Sequence, residues 1–153
     1  MNAIAIASDH RGVELKQQLI SLLKSQGFSV QDFGTSTEDS VDYPDYALRA
    51  AEAVRNGKAD GGIVICHSGI GVSVTANKIK GIRAALCQTV EQAELARKHT
   101  DANVLALPAG FVNPSLAKDI VLKWIHTDFE GGRHKRRIDK INSIEDREDV
   151  HDH

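Results

Sequence analysis

Residues 66–71 read Cys-His-Ser-Gly-Ile-Gly, which sets a thiol, an imidazole and a hydroxyl beside two glycines. A thiol next to main-chain N–H groups at a helix start is stabilised as a thiolate, and the same donors stabilise a developing enolate oxygen. That combination suits a catalytic thiolate with an oxyanion cradle. The plainer reading is a buried cysteine before a tight glycine turn, since free cysteine is often buried. The pattern alone leaves both open. Cys87, in an apolar strand without such a loop, reads as packing.

Three other groups could do chemistry. Asp9-His10 is either an acid–base or hydrogen-bonding pair, or Asp9 merely caps the helix that begins near Gly12. His99 closes a helix, where the dipole favours an imidazolium; a surface histidine capping that helix is the blander alternative. Arg133-His134-Lys135-Arg136-Arg137 is a basic cluster, ordinarily a solvated face, although arginine's forked donors also suit phosphate. Gly69-Ile70-Gly71 lacks the third glycine of a dinucleotide fingerprint, Val74 standing in its place, and no phosphate-loop motif occurs. The turn can hold a phosphate or a sugar oxygen, but dinucleotide binding is not expected. The remaining histidines, His151 and His153 near the end among them, show no zinc spacing, so no metal is implied.

The elements that must position these groups alternate from the first residue. Apolar strands are predicted at 3–7, 28–33, 61–66, 83–87 and 103–108, and helices over 13–24, 46–55, 72–78, 91–99 and 114–128. Gly27 suits the end of the first helix and Pro114 the first turn of the last. Such alternation implies parallel pairing and right-handed crossovers. The expectation is a three-layer α/β/α sandwich, a Rossmann-like five-stranded parallel sheet with a C-terminal helical tail. Ligands of such sheets bind at the carboxyl ends of the strands, where strand order switches. That rule points to Ser8-Asp9-His10, to Cys66–Gly71 and to the segment after Cys87.

The tail differs in composition. Residues 1–132 form the domain, and 133–153 carry the basic cluster followed by Ile138, Ile141 and Ile144 at intervals of three. A short helix with so narrow a stripe must dock, on its own domain or on a second subunit. The charged residues from Glu145 onward are expected to fray.

Composition bounds the rest. The chain has 153 residues, 19 basic and 21 acidic, giving a formal charge of 19 − 21 = −2, with 41% apolar and 5% aromatic residues. One domain is expected. Two cysteines cannot build a disulfide scaffold, no apolar run reaches membrane-spanning length, and the N-terminus lacks the basic start of a signal peptide. Low charge and few aromatics argue against nucleic-acid binding. The expected location is the cytoplasm.

These residues in this order resemble the ribose-5-phosphate isomerase type B family, with its galactose-6-phosphate and allose-6-phosphate isomerases. The resemblance rests on Ser8-Asp9-His10, Asp42-Tyr43-Pro44, Asp60-Gly61-Gly62, Cys66 with Ser68–Gly71, Ala76-Asn77-Lys78, Gly81–Ala84, Arg97–His99, Asn103-Val104-Leu105 and Glu130–His134, spanning residues 1–147. It implies an aldose–ketose isomerase that works through a cis-enediolate with neither metal nor organic cofactor. Ribose 5-phosphate and ribulose 5-phosphate are the leading pair; tetrulose 4-phosphate, allose 6-phosphate or galactose 6-phosphate are alternatives. A non-catalytic sugar-phosphate binding module is a further one.

By that similarity Cys66 is the base and Ser68 handles the hydroxyl proton, while the backbone of His67, Ser68, Gly69, Ile70 and Gly71 binds the enediolate oxygen. His99, with Asp9 nearby, opens the furanose ring, and Thr100 follows it in the substrate site. His10, Arg133 and Arg137 are phosphate ligands, the arginines completing a neighbour's site across a homodimer, with a tetramer as a further assembly. Three positions depart from the family pattern: His67 stands where many members have glycine, Thr100 where asparagine is frequent, and Gly110 where many have a phosphate-contacting arginine.

Overall fold

The computed structural model describes residues 1–151. Five strands, β1 (Ala3–Ser8), β2 (Ser29–Asp32), β3 (Gly61–Cys66), β4 (Ala84–Leu86) and β5 (Val104–Pro108), form one sheet in the order β2-β1-β3-β5-β4 with all pairs parallel. Six α-helices accompany them: α1 (Val13–Ser25), α2 (Tyr43–Arg55), α3 (Ile70–Ala76), α4 (Val90–Thr100), α5 (Pro114–His126) and α6 (Arg133–His151), with a 3-10 turn at His10–Gly12. The architecture is the expected α/β/α sandwich. From β1 the chain steps outward to β2 and then crosses back to β3 on the other side. The switch in direction therefore lies between the carboxyl ends of β1 and β3.

Side chains alternate across a pleated strand, and here the two faces differ in size. Ile4, Ile6, Ile63, Ile65, Leu105 and Leu107 pack with α1, α4 and α5 in one apolar cluster. Ala5, Ala7, Val64, Cys66, Val104 and Ala106 pack with α2 and α3 in the other. On that second face α2 contributes Ala47, Ala50, Ala51 and Ala53, so small meets small and the helix sits close to the sheet. Trp124 fills the far end of the larger face, fully buried, with its indole N–H donating to the Ala102 carbonyl at 3.1 Å. Lys16 is also fully buried, and its ammonium donates to Asp32 Oδ1 at 2.6 Å, which fastens α1 to the end of β2. No helix among the described residues is long and apolar enough to cross a membrane.

Element boundaries shift by a few residues from the sequence expectation, most in the tail. Instead of a short helix, α6 runs for 19 residues from Arg133. Its backbone stays helical to His151, beyond the point where fraying was expected; Asp152 and His153 lie outside the described residues. Charged contacts explain the extra length. Lys135 and Asp139 pair along the helix at 2.9 Å, the Gly81 N–H donates to Glu145, and Lys80 meets Asp146 at 3.2 Å. His134 and Ile138 are buried against the chain's own domain, whereas Ile141 and Ile144 remain 44% and 49% exposed.

Candidate active site

Cys66 ends β3, where it pairs in register with Pro108 of β5. Only 4% exposed, its side chain belongs to the small face of the sheet and borders a cavity of about 450 Å³. The chain then turns sharply. Gly69 has φ +72°, a left-handed conformation, and a Cβ there would stand 2.5 Å from Leu86 Cδ1 and 3.0 Å from Pro108 N. Only glycine fits both demands. Ser68 Oγ accepts the Ile70 N–H at 3.2 Å, which orients the hydroxyl and leaves its own proton to donate. Ser68, Ile70 and Gly71 line the cavity together with Cys66.

Asp9 joins this group from the neighbouring strand, as the switch between β1 and β3 requires. Its carboxylate accepts the Arg11 N–H at 3.0 Å and is 6% exposed, yet it also lines the cavity. The carboxylate thus caps the 3-10 turn at His10–Gly12, not α1, whose N-cap Gly12 has no side-chain cap bond, and it borders the cavity at the same time. His10 Nδ1 accepts the Val41 N–H at 3.2 Å, holding the segment ahead of α2. A ring accepting at Nδ1 carries its proton, when neutral, on Nε2. His10 borders the cavity residues in sequence without lining the cavity itself.

The remaining residues of the expected site lie elsewhere. Helix α4 returns antiparallel to the strands, so its last turn, with His99 and Thr100, ends beside the amino end of β5. The Arg83 guanidinium marks the place, its Nε donating to the Thr100 carbonyl at 2.9 Å just before β4 begins. Cys66 sits at the opposite end, and five residues of β5 at roughly 3.3 Å each separate the two positions. Within one chain, therefore, His99 is not brought to Asp9 or Cys66.

What His99 does meet is α6. Its ring stacks on His134 with centroids 4.2 Å apart and planes 12° from parallel. His134 is buried, with Nε2 3.5 Å from Glu130. Burial, and then the charges of His99 and Arg133, push the His134 imidazole below its ordinary pKa. His99, Glu130 and His134 offer ligand atoms within 4.8 Å of one another. The face-to-face stack, however, sends the two imidazole lone pairs along parallel planes instead of toward one point, which suits packing better than chelation. Arg133 and Arg137, one helical turn apart on α6, are exposed and hold no ion pair among the described residues.

Two cavity residues escaped the sequence reading. Tyr43, at the start of α2, roofs the turn so closely that a Cβ on Gly71 would stand 2.4 Å from its Cζ; Val74 closes the far side. The Asp42-Tyr43-Pro44 stretch of the resemblance and the glycine at 71 hint at this without placing the ring above the turn. Cys87, by contrast, is 1% exposed among apolar side chains, and burial pushes its thiol up to about 11.

Residues 4–141 match the profile of the ribose/galactose isomerase family. Ribose-5-phosphate isomerase B of Escherichia coli (strain K12) is 45% identical over 147 residues, covering 96% of this chain and 99% of that protein. The solved structure of Clostridium thermocellum ribose-5-phosphate isomerase B superposes with a TM-score of 0.94 at 50% identity, covering 95% of this chain and 98% of that one. The Mycoplasma genitalium enzyme, solved with bound ribulose 5-phosphate, gives 0.91 at 46% identity, covering 94% and 96%. A sheet of the same topology and identity along nearly the whole length carry one conclusion: the chain belongs to the ribose/galactose isomerase family.

Proposed function

We propose that the protein interconverts ribose 5-phosphate and ribulose 5-phosphate through a cis-enediolate, with Cys66 as the base. The observation that carries this is the Cys66 side chain bordering a cavity whose walls include the Ser68 hydroxyl, Ile70 and Gly71. The thiolate of Cys66 takes the proton from C2 of the open aldose, and the C2–H electron pair forms the C1=C2 bond. The charge passes to O1, where main-chain N–H groups of the turn stabilise it. Cys66 then returns the proton to C1, while Ser68 relays the O2 hydroxyl proton toward O1, so that the carbonyl reforms at C2. No redox partner is consumed, since the oxidation at C2 balances the reduction at C1.

His99 opens the furanose ring and, with Arg133 and Arg137, reaches the Cys66 cavity of a second copy of the chain; His10 adds a phosphate contact from the first. Support comes from the separation of the two groups at opposite ends of one sheet. Apolar side chains left uncovered agree with it: Ile70 and Val74 beside the cavity, and Ile141 and Ile144 on α6, are all at least 44% exposed. The tail from 133 onward is then both a part of its own domain and a donor to its partner.

Following ribulose 5-phosphate formation from ribose 5-phosphate tests the reaction, and Cys66→Ala tests the base. Loss of a proton-transfer base of this kind removes on the order of 10²- to 10⁴-fold in rate. Full turnover by Cys66→Ala would sink the assignment of the base, and no turnover by the wild type would sink the substrate.

A further inference from the structure

The reaction scheme uses the main chain of the turn and leaves the His67 side chain without a role. Its ring lies over Gly110, in the connection from β5 to α5. A Cβ added at Gly110 would stand 2.2 Å from the ring's Cε1, 2.4 Å from Nδ1 and 2.9 Å from Nε2. Phe111 packs on the same ring, with centroids 5.5 Å apart and planes tilted by 57°. The two segments are tied together, the Gly110 N–H donating to the His67 carbonyl at 2.9 Å. Any side chain at 110 would displace the imidazole from this place. The two positions are one spatial unit, 43 residues apart in sequence.

That unit faces the Cys66 cavity, whose wall includes His67. The residue is exposed to solvent, and neither ring nitrogen is engaged in a hydrogen bond among the described residues. Of the residues lining the cavity, His67 alone can carry a positive charge, and Asp9 contributes a negative one. A dianionic ligand entering from this side meets one group on the cavity wall that can be cationic, with His10 standing outside that wall.

Resting on the reading of the protein as a phosphosugar isomerase, we propose that His67 is an own-chain ligand of the substrate's phosphate, admitted by Gly110. The imidazole donates a hydrogen bond to a phosphate oxygen, while the reacting carbons lie toward Cys66. His67 and Gly110 together then set which phosphosugars fit.

The test measures ribose 5-phosphate kinetics and competitive inhibition by inorganic phosphate for four variants. In His67→Gly, KM and the phosphate inhibition constant should both rise on the order of tenfold, the size of one hydrogen bond to a charged group, with kcat changed less. His67→Gln, which keeps a donor, should recover part of the loss. Gly110→Ala should mimic His67→Gly, because the new Cβ drives the ring away. The double variant should be no worse than His67→Gly alone, since each change removes the same contact. Unchanged phosphate inhibition in His67→Gly, or additive losses in the double variant, would overturn the proposal. So would a fall in kcat with KM and phosphate inhibition untouched, which would place His67 at the reacting carbons. If the wild type fails to turn over ribose 5-phosphate, the isomerase reading falls separately. Titration of inorganic phosphate against the His67 ring resonances then still decides: a shift lost in Gly110→Ala supports the ligand, and no shift refutes it.

Discussion

At the carboxyl end of the sheet, Cys66 and Asp9 are 4% and 6% exposed, Ser68 is oriented by a main-chain N–H, and Gly69 is locked by its neighbours. At the amino end, Arg133 and Arg137 stand in solvent with no ion pair among the described residues, and the stack on His134 steadies His99. Under the proposed reaction, the contrast follows from what each group would do. Proton transfer at carbon needs donors fixed before the charge develops, because reorganisation during the step would raise the barrier. An arginine that grips a phosphate has the opposite constraint. Buried without its anion it would carry an uncompensated charge, so it stays wet until ligand and partner cover it.

Mixing inactive variants is the sharpest way to break this comparison. Cys66→Ala and the pair Arg133→Ala/Arg137→Ala damage different ends of the sheet. If each site takes one end from each subunit, unfolding and refolding the two together should restore about a quarter of wild-type activity, since half of the random dimers are mixed and each has one intact site. No recovery above the separate variants would mean that one chain furnishes both ends. A smaller effect is expected at the roof of the fixed end. Gly71→Ala forces Tyr43 aside and should lower kcat/KM by roughly tenfold, through misplaced substrate, while circular dichroism shows the fold intact. Unaltered kinetics would show that Tyr43 does not shape the site.

The smallest effect concerns the exposed end and its one buried imidazole. Burial, reinforced by His99 and Arg133, lowers the His134 pKa below its ordinary value of 6.5. The neutral ring is the form the fold accepts, so the unfolded chain binds the proton more tightly. The associated stability is complete above the unfolded value and is lost as pH falls through the lowered folded one. Urea midpoints should therefore drop as pH is taken from above that ordinary value to below it, and His134→Phe, which keeps a stacking ring without a titrating group, should flatten the slope. An unchanged slope would remove His134 from the account.

Much of this was legible in the chain itself. Short apolar runs such as Ile63-Val64-Ile65 and the alternation with amphipathic helices announce a parallel sheet, and the glycines after Cys66 announce a turn, leaving open whether its thiol is catalytic or packing. The order of the strands was not legible, because nothing local distinguishes β5 as the neighbour of β3. For the same reason the meeting of His67 with Gly110 was hidden: it exists only once β3 and β5 pair. The separation of His99 from Asp9 follows from a rule that needs no coordinates. A crossover helix runs against its strands, so a residue in its last turn ends up beside the amino end of the following strand. Tyr43 was marked by the Asp42-Tyr43-Pro44 stretch of the resemblance and by the smallness of Gly71, neither of which places its ring over the turn.

The alanine layer beneath α2 has an effect on the site that no side chain in the cavity could exert. Ala47, Ala50, Ala51 and Ala53 pack α2 on the small face of the sheet, and alanine has no rotamer through which to yield. Tyr43 rides at the first turn of that helix. The thickness of the layer thus acts as a shim under the ceiling of the candidate site, so a larger side chain below is expected to shift the phenol above. Pocket height is thereby expected to depend on a buried layer outside the cavity wall.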